Sequence, residues 1–481
     1  MTSAVLAVDV GSSAIRAAVV DGSGVVRAEH RTERQDAGSG LTFDAELLWQ
    51  QVVRTIGAVT GGHADDIRGI GIAGHIGTVL IDRSLAPVGP AHGWADSAGL
   101  AELRNRLGER TADLLRDSGR PTVTGGALAA LLHLRTTDPQ AYARVAYALH
   151  PKDFLIARMT GVVATDHTSA AYFGASAVRK RDWSVAAIEA VGVRPELFPP
   201  QQAATDVIGG TTASVGRLLG LPREVPVVGG GPDGTVGATL VAGTRTDAIA
   251  DIAGTTDVLV RVLDQPTDPP PGATLNPYTA GGRWTIGGAT GMTGGAAAWW
   301  ARLLGHPGPA VAIDRLGAEM DRIGPGAGGV LADPNLSGSR FPRWQPATRG
   351  SLAGLHADHG PAHVFLAVLE AVAYGVREGV DRLTGDDPRL SIVLAGGTAR
   401  SERLARLRAD VLGREVAVCT EPDVSLKGAA LLALTGTGGL PLDEQARLLR
   451  GPLHTYAPDP ARVERYADLY RRWRTATEGE S

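Results

Sequence analysis

The stretch VVGGGPDGTVGA, residues 227–238, sets a single acid, Asp233, among Gly229, Gly230, Gly231, Gly234 and Gly237. Glycine backbone approaches ligands closely and takes left-handed turns, so such loops usually cradle phosphate. A carboxylate there would repel an anion; on these residues alone it reads first as an ordinary turn-forming Asp, and otherwise as a group with chemistry of its own. Two more acids stand ahead of hydroxyl-bearing turns. In AVLAVDVGSSAIRAAVVD, Asp9 precedes Gly11, Ser12 and Ser13; in AIADIAGTTDVLVRVLD, Asp251 precedes Gly254, Thr255 and Thr256. Both turns offer backbone N–H groups and hydroxyls to phosphate oxygens. Asp9 could also hold hydrated Mg²⁺, which favours one or two carboxylates with phosphates and waters. Taken singly, each turn reads first as a tight β-hairpin and nothing more. A third glycine site, Gly396-Gly397 in SIVLAGGTARSERLARLRADVLG, joins an apolar run to a helical stripe of Leu404, Leu407, Val411 and Leu412. Helix N-termini favour anions, so this junction suits a nucleotide. The chain has no G-x-x-x-x-G-K-[ST], which excludes a P-loop.

The elements around these residues alternate. Short apolar strands flank Gly11–Ser13, and FDAELLWQQVVRTIGAV carries Leu47, Leu48, Val52, Val53 and Ile56 at helical spacing behind a Phe-Asp start. IRGIGIAG then reads as a buried strand. Strands alternating with helices predict an α/β layered domain. The order strand, Asp, glycine, two hydroxyls, strand recurs about half a chain later, although Gly11 follows its acid by two residues and Gly254 by three. This repeat predicts two related domains, each pointing a hairpin turn into a shared cleft.

Composition narrows the partners. A formal charge of −4 over 481 residues gives no electrostatic case for nucleic acid or an anionic membrane. One cysteine, Cys419, excludes an internal disulfide and suits a reducing compartment. The opening MTSAVLAVDVGSS lacks a basic stretch and Asp9 breaks its apolar run, so no secretory leader is expected. No apolar run is long enough to span a bilayer. A cytoplasmic globular protein is expected.

With these segments in view, the chain resembles the FGGY carbohydrate kinases, and xylulokinases most of all. The likeness runs through AVDVGSSAIRAAVVD, GIAGHIGTVLID, HPKDFLIARMTG, TDHTSAA, KRDWS, VVGGGPDGTVGA, IAGTTDVLV, NLSGSRFPRWQP, VLEAVAYGVREGVDRL, LAGGTARSERLARLRADVLG and KGAALLAL, in the family's order. The resemblance implies two RNase H-like (actin/sugar-kinase/heat-shock-ATPase) α/β domains flanking a catalytic cleft. It places a sugar-binding domain at 1–243 and a nucleotide-binding domain at 244–481, with a terminal helix from about residue 459. It implies ATP with Mg²⁺ as donor and transfer of the γ-phosphoryl group to a hydroxyl of a small sugar, polyol or cyclitol. Asp233 matches the family's catalytic base, and Asp9 the acid linked to metal and phosphate. Gly11, Ser12, Ser13, Gly254, Thr255 and Thr256 match the phosphate turns. Gly294, Gly396, Gly397 and Ser401 fall where related kinases meet the adenine nucleotide.

The departures fall on the sugar side. Xylulokinases place Gln-Met-His-Gly after the GIAG strand, where this chain has His75, Ile76, Gly77 and Thr78 and is one residue shorter before LID. HGWADSAG keeps Trp94 and Asp96 of the family's Trp-Asn-Asp-x-Arg but loses the Asn and the Arg; Ser339 and Phe341 replace Glu and Thr of SGERTP. The sugar is therefore expected to meet His75, Ile76, Gly77, Trp94, Asp96 and Asp233, with D-xylulose in doubt as substrate. Trp299 and Trp300 are expected on a helix with one of them in the core. Lys152-Asp153 is expected to start and cap a helix. The tail DPARVERYADLYRRWRTATEGES is expected to be an amphipathic helix with a basic solvated face and a disordered end. A non-catalytic sugar or nucleotide sensor of the same fold is the alternative function. Asp9, both hydroxyl turns and Asp233 favour the enzyme, since a sensor has no need of a base. Whether the protein forms a homodimer is left open.

Overall fold

Strand Ala4–Val10 is buried along its whole length, which is what a near-continuous apolar run between two layers requires. In the computed structural model, which describes residues 4–35, 41–222, 224–385, 387 and 389–478, it forms the centre of the first of two large sheets. Ala14–Asp21 pairs with it antiparallel and Val26–Glu33 follows antiparallel at the edge. On the other side Ile67–Gly74 pairs with it parallel, then come Pro226–Val228, parallel, and Val207–Gly210, antiparallel. The edge strand, VRAEHRTE, is charged and largely exposed, a composition that discourages edge-to-edge association.

The second sheet repeats this plan. Ala248–Ala253 is central, Thr256–Leu263 and Trp284–Met292 follow antiparallel, and Ser391–Gly396, Val416–Val418 and His454–Tyr456 lie on the other side with the same directions. One extra strand, Thr274–Pro277, extends the antiparallel edge. The duplication expected from the repeated hairpin is therefore present as topology, giving two RNase H-like α/β domains.

The helices between the sheets cross over. Helix Asp233–Ala242, from the first half of the chain, packs against strand Ala248–Ala253 of the second sheet, and Val424–Gly436 packs against Ala4–Val10 and Ile67–Gly74 of the first. One apolar core therefore joins Val5 and Ala7 to Ala250 and Ile252 through Val236, Leu240, Leu426 and Ala430. Contact is close enough that a Cβ on Gly71 would lie 2.1 Å from the Ala429 carbonyl oxygen, so only glycine fits there.

Several local expectations hold. Helix Ala45–Thr60 starts behind Asp44, whose carboxylate accepts from the N–H groups of Glu46 and Leu47 at 2.8 and 3.1 Å. Trp299 is 40% exposed while Trp300 packs on the core. The terminal helix Pro460–Glu478 buries Tyr466, Leu469, Tyr470 and Trp473 and leaves Arg471 and Arg472 exposed; the expected disorder concerns residues 479–481, outside the described residues. No described helix is long and apolar enough to cross a membrane.

Candidate active site

Asp233 is the first residue of a helix rather than the middle of a loop: the glycine run ends at Pro232 and Asp233–Ala242 begins there. Its neighbours fix it from both sides. Gly231 and Pro232 pair with Ala73 and Gly74, and the Ser425 hydroxyl donates to the Asp233 carbonyl at 3.3 Å. Oδ1 accepts the Gly234 N–H at 2.7 Å, while Oδ2 has no partner among the described residues. The carboxyl is half-buried, and desolvation raises its pKa, partly countered by the Gly234 N–H and by Arg16.

Asp9 lies across the sheet, on strand Ala4–Val10, paired with Ala73. Burial drives its pKa up to about 8; Arg16 opposes the rise, and Asp233 and Asp423 add to it. Arg16 bridges two of these acids, 2.6 Å from Asp9 and 2.6 Å from Asp423. Arg16 and Asp423 were not anticipated. The signal is present, since Arg16 is the one cation in the strand AIRAAVVD, whose other residues before Asp21 are apolar. Asp9 Oδ1 is buried without a hydrogen-bond partner. Among the described residues no three or more His, Cys, Asp or Glu form a protein-only cation site. One orphaned carboxylate oxygen is a fit for Mg²⁺ held mainly by phosphates and water.

Asp251, the acid ahead of the second turn, serves the core instead. Its carboxylate is fully buried, 2.7 Å from Arg408, whose other nitrogen lies 2.9 Å from Asp257. It is an internal ion pair, turned away from the cleft.

The second-domain residues expected to border a nucleotide do converge. Gly254 and Thr255 are exposed at the turn between strands Ala248–Ala253 and Thr256–Leu263. A Cβ on Gly294 would sit 2.2 Å from the Gly254 carbonyl oxygen, and one on Gly396 would sit 2.4 Å from that of Ala253. The Gly397 N–H donates to the same Ala253 carbonyl at 2.8 Å. Helix Gly294–Leu303 therefore begins against this turn, with its N-terminal dipole beside it. The Ser401 hydroxyl accepts the Leu404 N–H at 3.4 Å as the cap of helix Glu402–Leu412. In the first domain Ser12 and Ser13 are exposed, and the Gly11 N–H closes its turn on the Ala14 carbonyl at 2.9 Å.

On the sugar side, strand Gly77–Ile81 pairs with Ala91–Gly93, Gly77 opposite Gly93, which brings Trp94 and Asp96 beside Ile76 and Gly77. Trp94 is 53% exposed. Asp96 accepts from His92 Nδ1 at 2.7 Å and from the Ala98 N–H at 2.9 Å. His75 is buried with both ring nitrogens engaged: Nε2 lies 2.8 Å from the Arg34 guanidinium and Nδ1 lies 3.0 Å from the Ile76 carbonyl. Because Arg34 can only donate, this geometry assigns the proton to Nδ1. Lys152 does more than begin a helix. Its ammonium, 1% exposed, bonds Asp153, Asp166 at 2.9 Å and the Gly229 carbonyl at 2.9 Å, tying the glycine run ahead of Asp233 to helix Pro151–Thr160.

Residues 4–239 match the N-terminal domain and residues 250–437 the C-terminal domain of the FGGY family of carbohydrate kinases. The chain is 29% identical over 473 residues to a xylulose kinase of Klebsiella pneumoniae, covering 96% of each. It is 24% identical over 492 residues to a gluconokinase of Bacillus subtilis (strain 168), covering 98% of this chain and 94% of that one. The crystal structure of xylulose kinase from Rhodospirillum rubrum superposes with a TM-score of 0.89 at 25% identity, over 99% of this chain and 98% of the other. The two domain matches lie in order along most of the chain and the fold agrees from end to end, so the protein belongs to the FGGY family of carbohydrate kinases.

Proposed function

We propose that this kinase transfers the γ-phosphoryl group of ATP to a hydroxyl of a sugar or sugar-like polyol, with Asp233 as general base. The observation that carries the reading is the free Oδ2 of Asp233 at the cleft, beside Asp9 and opposite a turn of exposed hydroxyl and N–H donors. In the step, Asp233 takes the hydroxyl proton as the oxygen bonds to phosphorus. The bond from phosphorus to the β-phosphate oxygen breaks, and ADP leaves. A carboxyl raised by desolvation sits closer to working pH, which suits a base that must gain and lose a proton. Ser12, Ser13, Thr255 and Thr256 bind phosphate oxygens, and Gly294, Gly396, Gly397 and Ser401 border the nucleotide. Mg²⁺, held by Asp9 and the phosphates, would neutralise charge on the transferring group. His75, already hydrogen-bonded at both nitrogens, shapes the sugar pocket rather than reaching into it.

The relatives include both a xylulose kinase and a gluconokinase, and the substitutions around Ile76, Trp94 and Asp96 argue against D-xylulose as the best substrate. The test is ADP release with MgATP against ketoses, alditols, aldonates and cyclitols. No turnover with any of these, beside measurable binding of ATP and sugar, would favour the non-catalytic sensor.

A further inference from the structure

Arg340 comes from the second domain, in the loop after strand Leu331–Asp333, and its guanidinium carbon lies 4.8 Å from the ring centroid of Trp94 in the first domain. The guanidinium has no hydrogen-bond or ion-pair partner among the described residues; only the Arg340 carbonyl is bonded, to the Trp344 N–H. Asp96, the acid nearest Trp94 in sequence, is hydrogen-bonded to His92 and the Ala98 N–H and makes no ion pair with Arg340.

Backbone pairings locate this cation. On the second-domain side, a Cβ on Gly234 would lie 3.5 Å from Val258; Val258 pairs with Ala289, and the Ala289 carbonyl accepts the Phe341 N–H at 3.1 Å. Each strand step is about 4.8 Å, so Phe341, and Arg340 next to it, runs about 10 Å across the sheet from Val258, on which Gly234 packs. On the first-domain side, Pro232 pairs with Gly74, and Gly77 with Gly93, which leads directly to Trp94. Arg340 and Trp94 thus meet away from the second turn. Thr256, at the second turn, pairs with Met292, three residues along the strand from Ala289, or about 10 Å.

We propose that Arg340, backed by Trp94, binds a carboxylate of the acceptor, so that the substrate is an aldonate, a polyhydroxylated acid phosphorylated at a hydroxyl remote from its carboxylate. This rests on the kinase reading above and narrows its substrate. A guanidinium offers a planar fork of donors that matches a carboxylate two bonds at a time. Contact with the indole face holds the cation while leaving those donors for a ligand. Burial pulls the Arg340 pKa below its ordinary value, as expected for a cation whose counter-ion is not supplied by the protein. Asp233 handles the reacting hydroxyl and Arg340 the far terminus, so the two groups read opposite ends of one small molecule.

The experiment is calorimetric titration of the full-length protein, with Mg²⁺ and a non-hydrolysable ATP analogue, using D-gluconate beside D-glucitol and D-xylonate beside xylitol. At least one aldonate should bind about 10- to 100-fold more tightly than its alditol, the range for charge-assisted hydrogen bonds. Arg340→Gln should erase that advantage, and Arg340→Lys should keep part of it, since Lys retains the charge but loses the fork. The proposal is overturned if both alditols match their aldonates, or if no aldonate binds at millimolar concentration. It is also overturned if Arg340→Gln weakens acid and alditol alike, the behaviour of a mere latch between domains. ADP release on the same ligands separates the two readings: Arg340-dependent aldonate binding without turnover would support the site and sink the kinase assignment.

Discussion

Asp9 and Asp251 occupy corresponding strands of the two sheets but face opposite ways. Asp9 pairs with Ala73, the residue before Gly74, whereas Asp251 pairs with Leu394, one residue short of the corresponding Ala395-Gly396. A slip of one residue turns a strand side chain to the other face. Asp9 therefore shares the face of Val5 and Ala7, toward the central helices and the cleft, and its counterpart is Ile252. Asp251 shares the face of Ile249, which packs beneath helix Glu402–Leu412 and so meets Arg408.

This relationship separates two substitutions. Asp251→Asn leaves Arg408 with Asp257 alone and should lower stability by about 3–5 kcal/mol, the usual cost of breaking a buried ion pair. Nucleotide affinity should change little where the fold persists. Asp9→Asn should cost less stability and more nucleotide affinity, because its partner Arg16 is one-third exposed and keeps Asp423, whereas Arg408 is buried. Thermal melts and nucleotide titrations on both variants check this; equal destabilisation of the two would contradict it.

Asp233→Asn keeps the side-chain shape and the local turn but cannot accept a proton. We expect kcat to fall by about 10²–10⁴ with little change in KM, the signature of an interaction made mainly in the transition state. Steady-state kinetics on the best acceptor decides it. Retention of more than about a tenth of kcat, outside the range for a lost base, would reduce Asp233 to a helix-starting residue.

Thr255→Val removes an exposed hydroxyl at the second phosphate turn. Loss of a hydrogen bond to a charged group costs about 1.5–3 kcal/mol, so kcat/KM for ATP should drop about 10- to 100-fold. The melting temperature should stay close to wild type. Unchanged ATP kinetics would remove Thr255 from the phosphate site.

Lys152→Met strands Asp153 and Asp166 and frees the Gly229 carbonyl. The glycine run that sets Asp233 in place should loosen, so kcat should suffer more than KM for the acceptor. Loss of stability is expected at about the level of a broken buried ion pair, 3–5 kcal/mol. A stability loss with kcat intact would show that the lysine supports the fold alone.

Glu370 supplies a pH test far from the cleft. Desolvation, opposed by the Gly326 N–H and the Tyr466 hydroxyl, raises its pKa from 4.5 to about 7. A folded-state pKa above the unfolded one makes the protonated form stabilising. That contribution is complete below the unfolded pKa and is lost as pH rises to about 7. Its size is about 3 kcal/mol for a shift of this kind. In Glu370→Gln the same oxygen position can accept from Gly326 and Tyr466 without ionising. Melting temperatures of the variant should therefore fall less than those of wild type between pH 5 and 8, roughly the span over which the wild-type carboxyl ionises. Parallel profiles would count against a titrating Glu370.

Much of this molecule is local and therefore legible in its residues. The hairpins at Gly11–Ser13 and Gly254–Thr256 and the helix behind Asp44 all depend on neighbours within a few positions, as turn and cap chemistry does. Tertiary structure alone decided the partners. Nothing in the spacing of Asp251 reveals whether it faces Arg408 or the cleft, because that depends on register against a strand some 140 residues later. Lys152 reads as a helix start until Gly229 and Asp166 are folded against it. Arg340 and Trp94 meet only because two domains fold toward each other, a contact no local pattern encodes. Backbone preferences act between neighbours, whereas the pairing of buried charges is settled by which distant surfaces exclude water together.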